Sequence, residues 1–484
     1  MNPLLYTDGY KVDHRRQYPT GTGLVYSNWT PRKSRIEGVD KVVFFGLQYF
    51  IKKYIISDFD KRFFSQPKEE VCRKYARRIN NYLGENSVGV SHIEALHDLG
   101  YIPMVIKALP EGVSTPIRVP QFTMYNTLPQ FFWLTNYFET LLSTTVWMPS
   151  NSATLAKRYR DILDQYAEET STIPDFVDWQ GHDFSMRGMA GLEAASISGA
   201  GHLLSFSGTD TIPAIDFLEK YYNADSDTEI VGGTVAATEH SVMCMGTDAG
   251  ERETFRRLIS EVYPKGVVSI VSDTWDLWKV LDEYLPEMKE EILGRDGKVV
   301  IRPDSGDPVD ILCGNPAGKN ETEVKGVIES LWDTFGGTVN EKGFKELDPH
   351  IGAIYGDSIT LERAEDICQR LKVKGFASTN VVLGIGSFTY QYNTRDTFGF
   401  AMKATYGEVA GAGREIFKDP VTDDGTKKSA KGLLKVVKEG DEYVLVDQVD
   451  WEEEGKGELK EVFRDGKILV DHSLSEIRER LRNG

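Results

Sequence analysis

Cysteine is scarce in this chain. Its 484 residues include four cysteines, Cys72, Cys244, Cys313 and Cys368, and no two of them form a C-x-x-C pair. The spacing therefore predicts neither a disulfide framework nor a zinc knuckle. A reducing compartment, and hence the cytoplasm, is the expected location.

Long apolar runs are also missing. The first turns carry Asp8, Lys11 and Asp13, and the longest uncharged stretch, 119–138, contains two prolines and several polar residues. A membrane-spanning helix needs about 20 consecutive apolar residues. The sequence therefore predicts neither a signal peptide nor a membrane span.

Basic residues are fewer than acidic ones. The chain has 56 Lys and Arg against 74 Asp and Glu, which gives a formal net charge of −18. Such an acidic chain is not expected to bind nucleic acid nonspecifically, although a local basic pocket can still hold an anionic substrate. With 40% hydrophobic residues and no low-complexity segment, the chain is long enough for two globular domains.

Five apolar, β-branched runs each end at an acidic or glycine-rich tip. They are HLLSFSGTD (202–210), VVSIVSD (267–273), VVIRPDSGD (299–307), GAIYGD (352–357) and VVLGIGS (381–387). Runs of this kind predict strands buried on both faces, and the intervals between them leave room for crossover helices. With two further candidates, at 176–184 and 230–240, about seven strands are predicted. An irregular α/β barrel with its chemistry at one rim is favoured.

The two ends of the chain differ from this middle region. Residues 1–150 mix strand candidates with a helical pattern at 69–83, and a longer helical pattern is interrupted at Met148-Pro149-Ser150. Beyond residue 395 the chain becomes charged, with a hairpin signal at Asp465-Gly466 and a helix opened by the capping box Ser473-x-x-Glu476. We therefore predict a discontinuous α+β domain from 1–150 and 395–484, beside an α/β barrel at 151–394.

Arg302, Asp304, Ser305 and Gly306 follow one of the predicted buried strands. Arginine binds phosphate through two hydrogen bonds, glycine lets the backbone approach, and a carboxylate binds hydroxyls or stabilises developing positive charge. The cluster suits a phosphorylated substrate. A structural salt bridge that caps the turn is the alternative.

Carboxylates recur at the other tips, as Asp210, Asp273 and Asp357. Several carboxylates on one rim repel each other unless cations or substrate donors neutralise them. Arg302, Arg187, Arg395 and Lys403 are available for that, and a magnesium-bound phosphate would serve as well. The rim is therefore predicted to be a site.

Histidine and aromatic residues also stand at these tips. His240, after Glu239, can act as a base, a phosphate ligand or a nucleophile, or it can be a structural hydrogen bonder. Phe184, which follows His182 and Asp183, can stack on a flat ring or belong to the core.

Ordered motifs along nearly the whole chain resemble the nicotinamide phosphoribosyltransferases, a branch of the type II phosphoribosyltransferases. The motifs are TDGYKVDHRRQYP (7–19), FFGLQYF (44–50), GHDFSMRG (181–188), GTDT (208–211), TEHS (238–241), VSDTWD (271–276), IRPDSGDP (301–308), YGD (355–357), TRD (394–396), FKDP (417–420) and VFRDGK (462–467).

The resemblance implies that the ring nitrogen of nicotinamide attacks C1 of phosphoribosyl pyrophosphate and expels pyrophosphate, with Mg²⁺ on the leaving group. It implies that Phe184, with Tyr10 of a second subunit, clamps the pyridine ring, and that Asp210 accepts from its amide. The remaining positions would contact the ring region, the ribose and the phosphates: Arg187, Arg302, Asp304, Asp273, Gly356, Asp357, Gly386, Arg395, Arg32, Lys403 and Lys418.

The resemblance also implies a homodimer with shared sites and the use of ATP to phosphorylate His240, beside Glu239. Tyr10 can equally be an ordinary packed aromatic. A buried carboxylate at Asp210 would accept from a carboxamide and repel nicotinate, which favours nicotinamide.

Three positions depart from the family pattern. Ser387 and Phe388 stand in the glycine-rich loop GIGSFTYQ where more glycine is expected, and Ala401 stands where a serine is expected. Nothing from the family is carried over to 309–350.

Three alternatives remain. A nicotinate phosphoribosyltransferase would share the fold and the phosphoribosyl chemistry, but Asp210 and Phe184 argue against it. A noncatalytic binding or signalling protein can use the same scaffold. An aldolase-like or phosphatase-like barrel would need a Schiff-base lysine or a metal cluster at a strand end, and the tips contain no lysine.

Overall fold

A computed structural model describes residues 1–84, 88–356, 358–418 and 430–484. The strands of this part of the chain are β1 (Thr22–Thr30), β2 (Lys41–Val43), β3 (Met104–Ala108), β4 (Ser114–Pro116), β5 (Phe122–Asn126), β6 (Gly181–Asp183), β7 (Gly208–Thr209), β8 (Ala236–Ala237), β9 (Val268–Val271), β10 (Val299–Arg302), β11 (Gly337–Val339), β12 (Lys345–Leu347), β13 (Ile351–Tyr355), β14 (Val381–Ile385), β15 (Ala401–Val409), β16 (Ala412–Glu415), β17 (Leu433–Glu439), β18 (Glu442–Val449), β19 (Lys460–Arg464) and β20 (Lys467–Ile468).

The α-helices of the same residues are α1 (His14–Gln17), α2 (Leu47–Phe50), α3 (Lys68–Leu83), α4 (Ser91–Leu99), α5 (Leu134–Tyr137), α6 (Glu139–Thr170), α7 (Val177–Gln180), α8 (Leu192–His202), α9 (Ile212–Tyr222), α10 (His240–Met245), α11 (Glu251–Arg257), α12 (Leu277–Lys279), α13 (Leu285–Glu287), α14 (Lys289–Leu293), α15 (Pro308–Cys313), α16 (Glu321–Phe335), α17 (Leu361–Val373), α18 (Ser387–Tyr390), α19 (Trp451–Glu454) and α20 (Leu474–Asn483). No helix within the described ranges combines the length and the apolar character that crossing a bilayer requires.

The chain forms two compact units. Unit 1 comprises Met1–Thr154, Phe217–Ala224 and Asn393–Gly484, and unit 2 comprises Leu155–Asp216 and Asp225–Tyr392. Unit 1 is therefore built from both ends of the chain, and the division falls within α6.

Unit 1 contains a seven-stranded sheet in the order β16-β15-β1-β5-β3-β19-β20, in which every neighbouring pair is antiparallel. The centre comes from the N-terminal part of the chain, and C-terminal strands extend it on both sides. Trp29 on β1 is fully buried, and its ring stacks on Phe122 at 6.1 Å and on Phe400 at 5.1 Å between ring centroids. Aromatic packing thus joins the two chain ends.

The predicted break at Pro149 is wrong, because α6 runs through this proline. The ring of Pro149 occupies the space beside Gly46, where a Cβ would overlap it. Gly46 has a φ of +107°, which glycine adopts without the strain that an L side chain would bring. The proline therefore has a packing role inside a continuous helix.

Unit 2 contains a seven-stranded sheet in the order β7-β6-β14-β13-β10-β9-β8, with every neighbouring pair parallel. A further parallel bridge joins Gly208 on β7 to Gly233, and the N–H of Thr209 donates to the carbonyl of Gly233 at 2.9 Å. β7, at one end of this order, is thus hydrogen-bonded to the segment that precedes β8, at the other end. The predicted α/β architecture, an irregular barrel of about seven strands, is confirmed.

Most of the predicted strand tips follow strands in the structure, namely β9, β10, β13 and β14. The prediction at 202–210 is wrong in its first part, because α8 continues to His202 and β7 covers only Gly208–Thr209. Leu203, Leu204 and Phe206 are buried in the turn between them. The error arises because a buried turn and a buried strand give the same apolar run.

Other local predictions are confirmed. β19 and β20 form the hairpin at Asp465-Gly466, and Ser473 and Glu476 form the capping box of α20.

A buried ion pair offers a test of how unit 1 is held together. The Lys107 ammonium on β3 lies 2.5 Å from a Glu454 carboxylate oxygen on α19, and both residues are buried. The Tyr26 hydroxyl donates to the other Glu454 oxygen at 3.3 Å. Removing one partner leaves the other charge buried and unpaired.

We expect Glu454→Gln to lower the free energy of unfolding by about 3 kcal/mol, measured by urea denaturation. The double variant Lys107→Met with Glu454→Gln should recover part of that loss, because no unpaired charge remains. A Glu454→Gln variant as stable as the parent would contradict this account, and Glu452→Gln on the exposed side of α19 is the matched control.

Candidate functional site

Asp273 is the most heavily bonded carboxylate at the rim of unit 2. It follows β9, its side chain is 5% exposed, and its Oδ2 accepts from the backbone N–H groups of Asp304 at 2.8 Å and Ser305 at 2.7 Å. The Ser305 hydroxyl donates to the same oxygen at 2.5 Å. These donors fix the loop after β10 against the end of β9.

Arg302, the last residue of β10, is buried and directed toward Asp304. The guanidinium Nη2 lies 3.5 Å from Asp304 Oδ2. Asp304 Oδ1 and Arg302 Nε are buried and have no hydrogen-bond partner among the described residues. Gly356 lies against this carboxylate, since a Cβ there would overlap Asp304 Oδ1. Unsatisfied buried polar atoms of both signs at one point suit a polar ligand.

His240 lies beside this cluster, at the first position of α10. Its side chain is 49% exposed, and its Nε2 is 3.4 Å from Asp273 Oδ1. Glu239 occupies the N-cap position of the same helix, and its carboxylate accepts a hydrogen bond from the Ser241 hydroxyl. An exposed imidazole with a carboxylate behind it is oriented for proton transfer or nucleophilic attack.

An aromatic wall lies on the other side of Arg302. The guanidinium carbon is 5.6 Å from the centroid of the half-buried Phe184 ring, and the His182 ring centroid is 4.5 Å from that of Phe184. Phe184 is held by its backbone N–H, which donates to the Ile385 carbonyl. The wall offers a flat ring one apolar face beside a cation.

Asp210 stands at the end of β7, where two neighbours donate to one of its oxygens. Oδ1 accepts from the Thr234 hydroxyl at 2.7 Å and from His182 Nε2 at 3.0 Å. Partial burial raises the pKa of Asp210, but these hydrogen bonds outweigh it and the pKa is lowered. The prediction of a buried carboxylate is wrong, because the side chain is 41% exposed.

Two further predicted residues of unit 2, Gly386 and Arg187, lie near the end of β14. Gly386 precedes α18, and Gly188 lies against Ser387, whose side chain a Cβ at 188 would overlap. Arg187 is exposed in the turn before Gly188. Asp357 lies outside the described residues.

A cavity of about 280 Å³ opens beside this wall and extends along the inner face of the sheet. His182, Phe184, Thr234 and Arg302 line one part, and Lys298 lines another. Burial lowers the pKa of Lys298, while Asp348 opposes that shift. Most of the lining is apolar, which suits a flat heteroaromatic ligand.

Two of the predicted site residues of unit 1, Tyr10 and Arg395, line the same pocket. Tyr10, Lys11, Glu139 and Arg395 line one pocket, where Tyr10 is 63% exposed and the Lys11 ammonium is 2.5 Å from Glu139. Lys403 belongs to the same electrostatic neighbourhood. Its pKa is lowered by desolvation and by the positive charges of Arg32, Arg395 and Lys11, while Glu139 opposes this.

This excess of cations favours an anion in unit 1. One N–H group of the Arg32 guanidinium already has a partner, since its Nε donates to the Gly399 carbonyl at 3.0 Å. Lys418 is exposed.

Within the described ranges, no three acidic, histidine or cysteine side chains converge as a metal site. Magnesium, however, is commonly bound through one or two carboxylates together with the phosphates of a substrate. The buried Asp304 Oδ1, which lacks a partner within those ranges, and the adjacent Asp273 fit that kind of site.

The role of Thr234 at this rim is not predictable from the sequence, because hydroxyl residues are common near strand ends and carry no distinctive spacing. Ser305 belongs to the predicted cluster that follows β10, but its hydrogen bond to Asp273 is not predictable. Only the pairing of distant segments reveals these two contacts. His182 belongs to a recognisable motif, but nothing in its spacing places its ring against Asp210.

Comparisons with known proteins identify the family of the chain. Residues 179–467 match the nicotinate phosphoribosyltransferase (NAPRTase) family, and residues 2–82 match the N-terminal domain of nicotinamide phosphoribosyltransferase. The chain is 55% identical to a nicotinamide phosphoribosyltransferase of Acinetobacter baylyi, covering 99% of this chain and 97% of that protein.

The chain belongs to the nicotinamide phosphoribosyltransferase family. A member from Mycoplasma pneumoniae is 35% identical over 89% of this chain and 95% of its own length. Among solved structures, the nicotinate-nucleotide pyrophosphorylase of Pyrococcus furiosus superposes with a TM-score of 0.60 at 13% identity, covering 99% of this chain and 95% of that one. At that identity the likeness shows the fold alone. The family assignment rests on the sequence relatives.

Proposed function

We propose that this protein transfers the phosphoribosyl group of phosphoribosyl pyrophosphate to the ring nitrogen of nicotinamide, giving nicotinamide mononucleotide and pyrophosphate for NAD salvage. One observation carries the proposal: in a member of this family, the lowered-pKa carboxylate of Asp210 stands at the rim that also holds the Phe184–Arg302 wall. An anionic acceptor beside an apolar face suits an uncharged aromatic amide.

The pyridine ring stacks on Phe184, and its amide N–H donates to Asp210. Held in this way, the ring nitrogen faces C1 of the bound phosphoribosyl group, and this positioning lowers the entropic cost of attack. The guanidinium carbon of Arg302 is 5.6 Å from the centroid of the Phe184 ring. From there Arg302 would contact both the pyridine ring and the phosphates of the substrate.

Asp304 and Asp273 act on the phosphoribosyl side. As the bond from C1 to the pyrophosphate oxygen breaks, positive charge develops on the ribose, and a nearby carboxylate stabilises it. The same two carboxylates would hold Mg²⁺, which when bound neutralises the leaving pyrophosphate. Gly356 leaves room for the Asp304 carboxylate. We assign Gly356, Asp357 and Gly386 to the ribose and 5′-phosphate, together with the basic residues Arg32, Arg395, Lys403 and Lys418.

Acceptor choice separates this proposal from a nicotinate phosphoribosyltransferase. The carboxylate of nicotinate would face Asp210, and repulsion between two partly exposed charges is worth about 2 kcal/mol, or roughly thirtyfold in specificity. A noncatalytic protein would form neither nucleotide.

Asp210→Ser should therefore raise the ratio of kcat/KM for nicotinate to that for nicotinamide by about tenfold or more. Steady-state rates of nucleotide formation with Mg²⁺ and phosphoribosyl pyrophosphate measure this ratio. Asp366→Asn, on the exposed face of α17, is the control and should keep the parental ratio. Nicotinate mononucleotide as the main product of the parent enzyme would overturn the proposal.

We further propose that ATP phosphorylates His240 on Nδ1, the ring nitrogen that does not face Asp273, with ADP as the leaving group. The support is the 49% exposed imidazole with Asp273 at 3.4 Å. A carboxylate behind the ring stabilises the positive charge that forms when nitrogen attacks phosphorus.

His240→Ala should abolish acid-labile ³²P labelling by γ-labelled ATP and reduce the ratio of rates with and without ATP to about one. The matched control is His350→Ala, because the His350 ring also bonds an aspartate, Asp348, at 2.7 Å. Labelling that survives in the His240 variant would exclude this residue as the acceptor.

We also propose a homodimer in which Tyr10 closes the nicotinamide site of the partner subunit. The exposed Tyr10 ring lies beside a pocket of unit 1, with Lys11 Nζ 5.3 Å from its centroid. A 63% exposed tyrosine has a free face for a second ring.

Mixed dimers of Tyr10→Ala and Asp304→Ala subunits should regain about half of the parental activity per dimer, because one site then has an intact tyrosine and an intact aspartate. Tyr10→Phe should remain active in homodimers. Mixed dimers no more active than the two variants alone would show that Tyr10 acts within its own chain, and a monomer by ultracentrifugation would exclude the shared site.

A further inference from the structure

The two oxygens of Asp210 have different surroundings. Oδ1 accepts from Thr234 at 2.7 Å and His182 at 3.0 Å, and these two donors lie 3.5 Å apart. Within the part of the chain that the structure describes, no donor to Oδ2 is found. One oxygen is thus anchored by the protein, and the other remains available to a ligand.

The anchoring hydroxyl comes from the seam of the curled sheet. Thr234 follows Gly233, whose backbone bridges to Gly208 and whose N–H donates to the Ser207 carbonyl at 2.8 Å. Asp210 follows the strand on the other side of this seam. The hydrogen bond from Thr234 therefore forms only when the two ends of the sheet meet, and it transmits that geometry to the carboxylate.

His182 gives the second anchor and links it to the aromatic wall. Its Nε2 faces Asp210, its Nδ1 faces Gly208, and its ring is 4.5 Å from the Phe184 centroid. Donation to a carboxylate requires a proton on Nε2. The ring that positions the acceptor thus also packs on the surface assigned to the pyridine.

We propose that Thr234 and His182 are positioning residues that set acceptor selectivity by holding Asp210 Oδ1, so that Oδ2 alone meets the amide of the substrate. The inference rests on the proposed function, since it deepens the role given there to Asp210. A carboxylate of which one oxygen is committed cannot rotate freely about its side-chain torsions. The acceptor oxygen then occupies one position before the substrate binds. Binding of the amide therefore does not lose entropy in ordering the carboxylate.

The decisive variant is Thr234→Val, which replaces the hydroxyl with a methyl group of similar size. We expect the KM for nicotinamide to rise about three- to tenfold, with kcat within about twofold of the parent, because the variant loosens binding of the amide and leaves the reacting atoms in place. Thr234→Ser keeps a hydroxyl and should restore the parental KM. His182→Phe should show the same pattern as Thr234→Val.

A purely structural role for Thr234 predicts a different outcome. Thr238→Val removes a buried hydroxyl from the same segment, one that accepts from the Val271 N–H at 2.9 Å. It should lower the thermal midpoint and keep the parental ratio of KM values for nicotinamide and nicotinate. If Thr234→Val behaves in that way, or changes kcat and KM equally, the proposal is overturned.

Equilibrium binding distinguishes failure of this inference from failure of the proposed function. Calorimetric titration with nicotinamide should show the same three- to tenfold weakening in Thr234→Val, and recovery in Thr234→Ser. Unchanged binding would refute the positioning role even in an active enzyme. Weakened binding in a protein that forms no nucleotide would support the role and refute the proposed reaction.

Discussion

The parallel register of seven short strands is the constraint on which the site depends. Arg302 pairs with Val271, so that two residues further on Asp304 and Asp273 meet at one edge. In the same way, Asp183 pairs with both Ile385 and Thr209, which brings Phe184 and Asp210 to the same rim. A slip of one residue would turn each of these side chains to the other face. The chemistry is thus positioned by backbone hydrogen bonds within β-branched, buried strands.

Charge at this rim is balanced in an unexpected way. The sequence suggests that arginine and lysine side chains neutralise the strand-end carboxylates. In unit 2 the Asp273 carboxylate is instead held by backbone N–H groups and a serine hydroxyl, while His182 and Thr234 hold Asp210. Neutral dipoles stabilise an anion without cancelling its charge. The carboxylates therefore retain their attraction for a cationic transition state, and Arg302 retains buried N–H groups for an anionic substrate.

How much of the fold and the site is predictable from the sequence depends on the range of the interactions. Strands β9, β10, β13 and β14 are predictable because a continuous apolar run that ends in glycine or aspartate is typical of a buried parallel strand. The interruption expected at Pro149 is wrong. Proline is locally unfavourable inside a helix, but here its ring packs against the distant Gly46 and the helix continues. The exposure of Asp210 and the role of Thr234 depend on how separate segments meet across the seam. Neither the composition nor the periodicity of a single segment contains that information.

The order of the strands in unit 1 determines when its sheet can be completed during synthesis of the chain. β1, β5 and β3 emerge from the ribosome first, yet both outer edges of this trio pair with strands that begin at Ala401 and Lys460. At 5–20 residues per second, the trio waits for roughly 15–60 s before the first of these strands is synthesised. During that interval the unpaired edges of β1, with Tyr26 and Trp29, and of β3, with Met104, Val105 and Ile106, face the solvent and other nascent chains. The edge of β3 is covered only after β19 has been synthesised, so a truncation that removes β19 and β20 would leave this edge open to pairing with another chain and would favour aggregation.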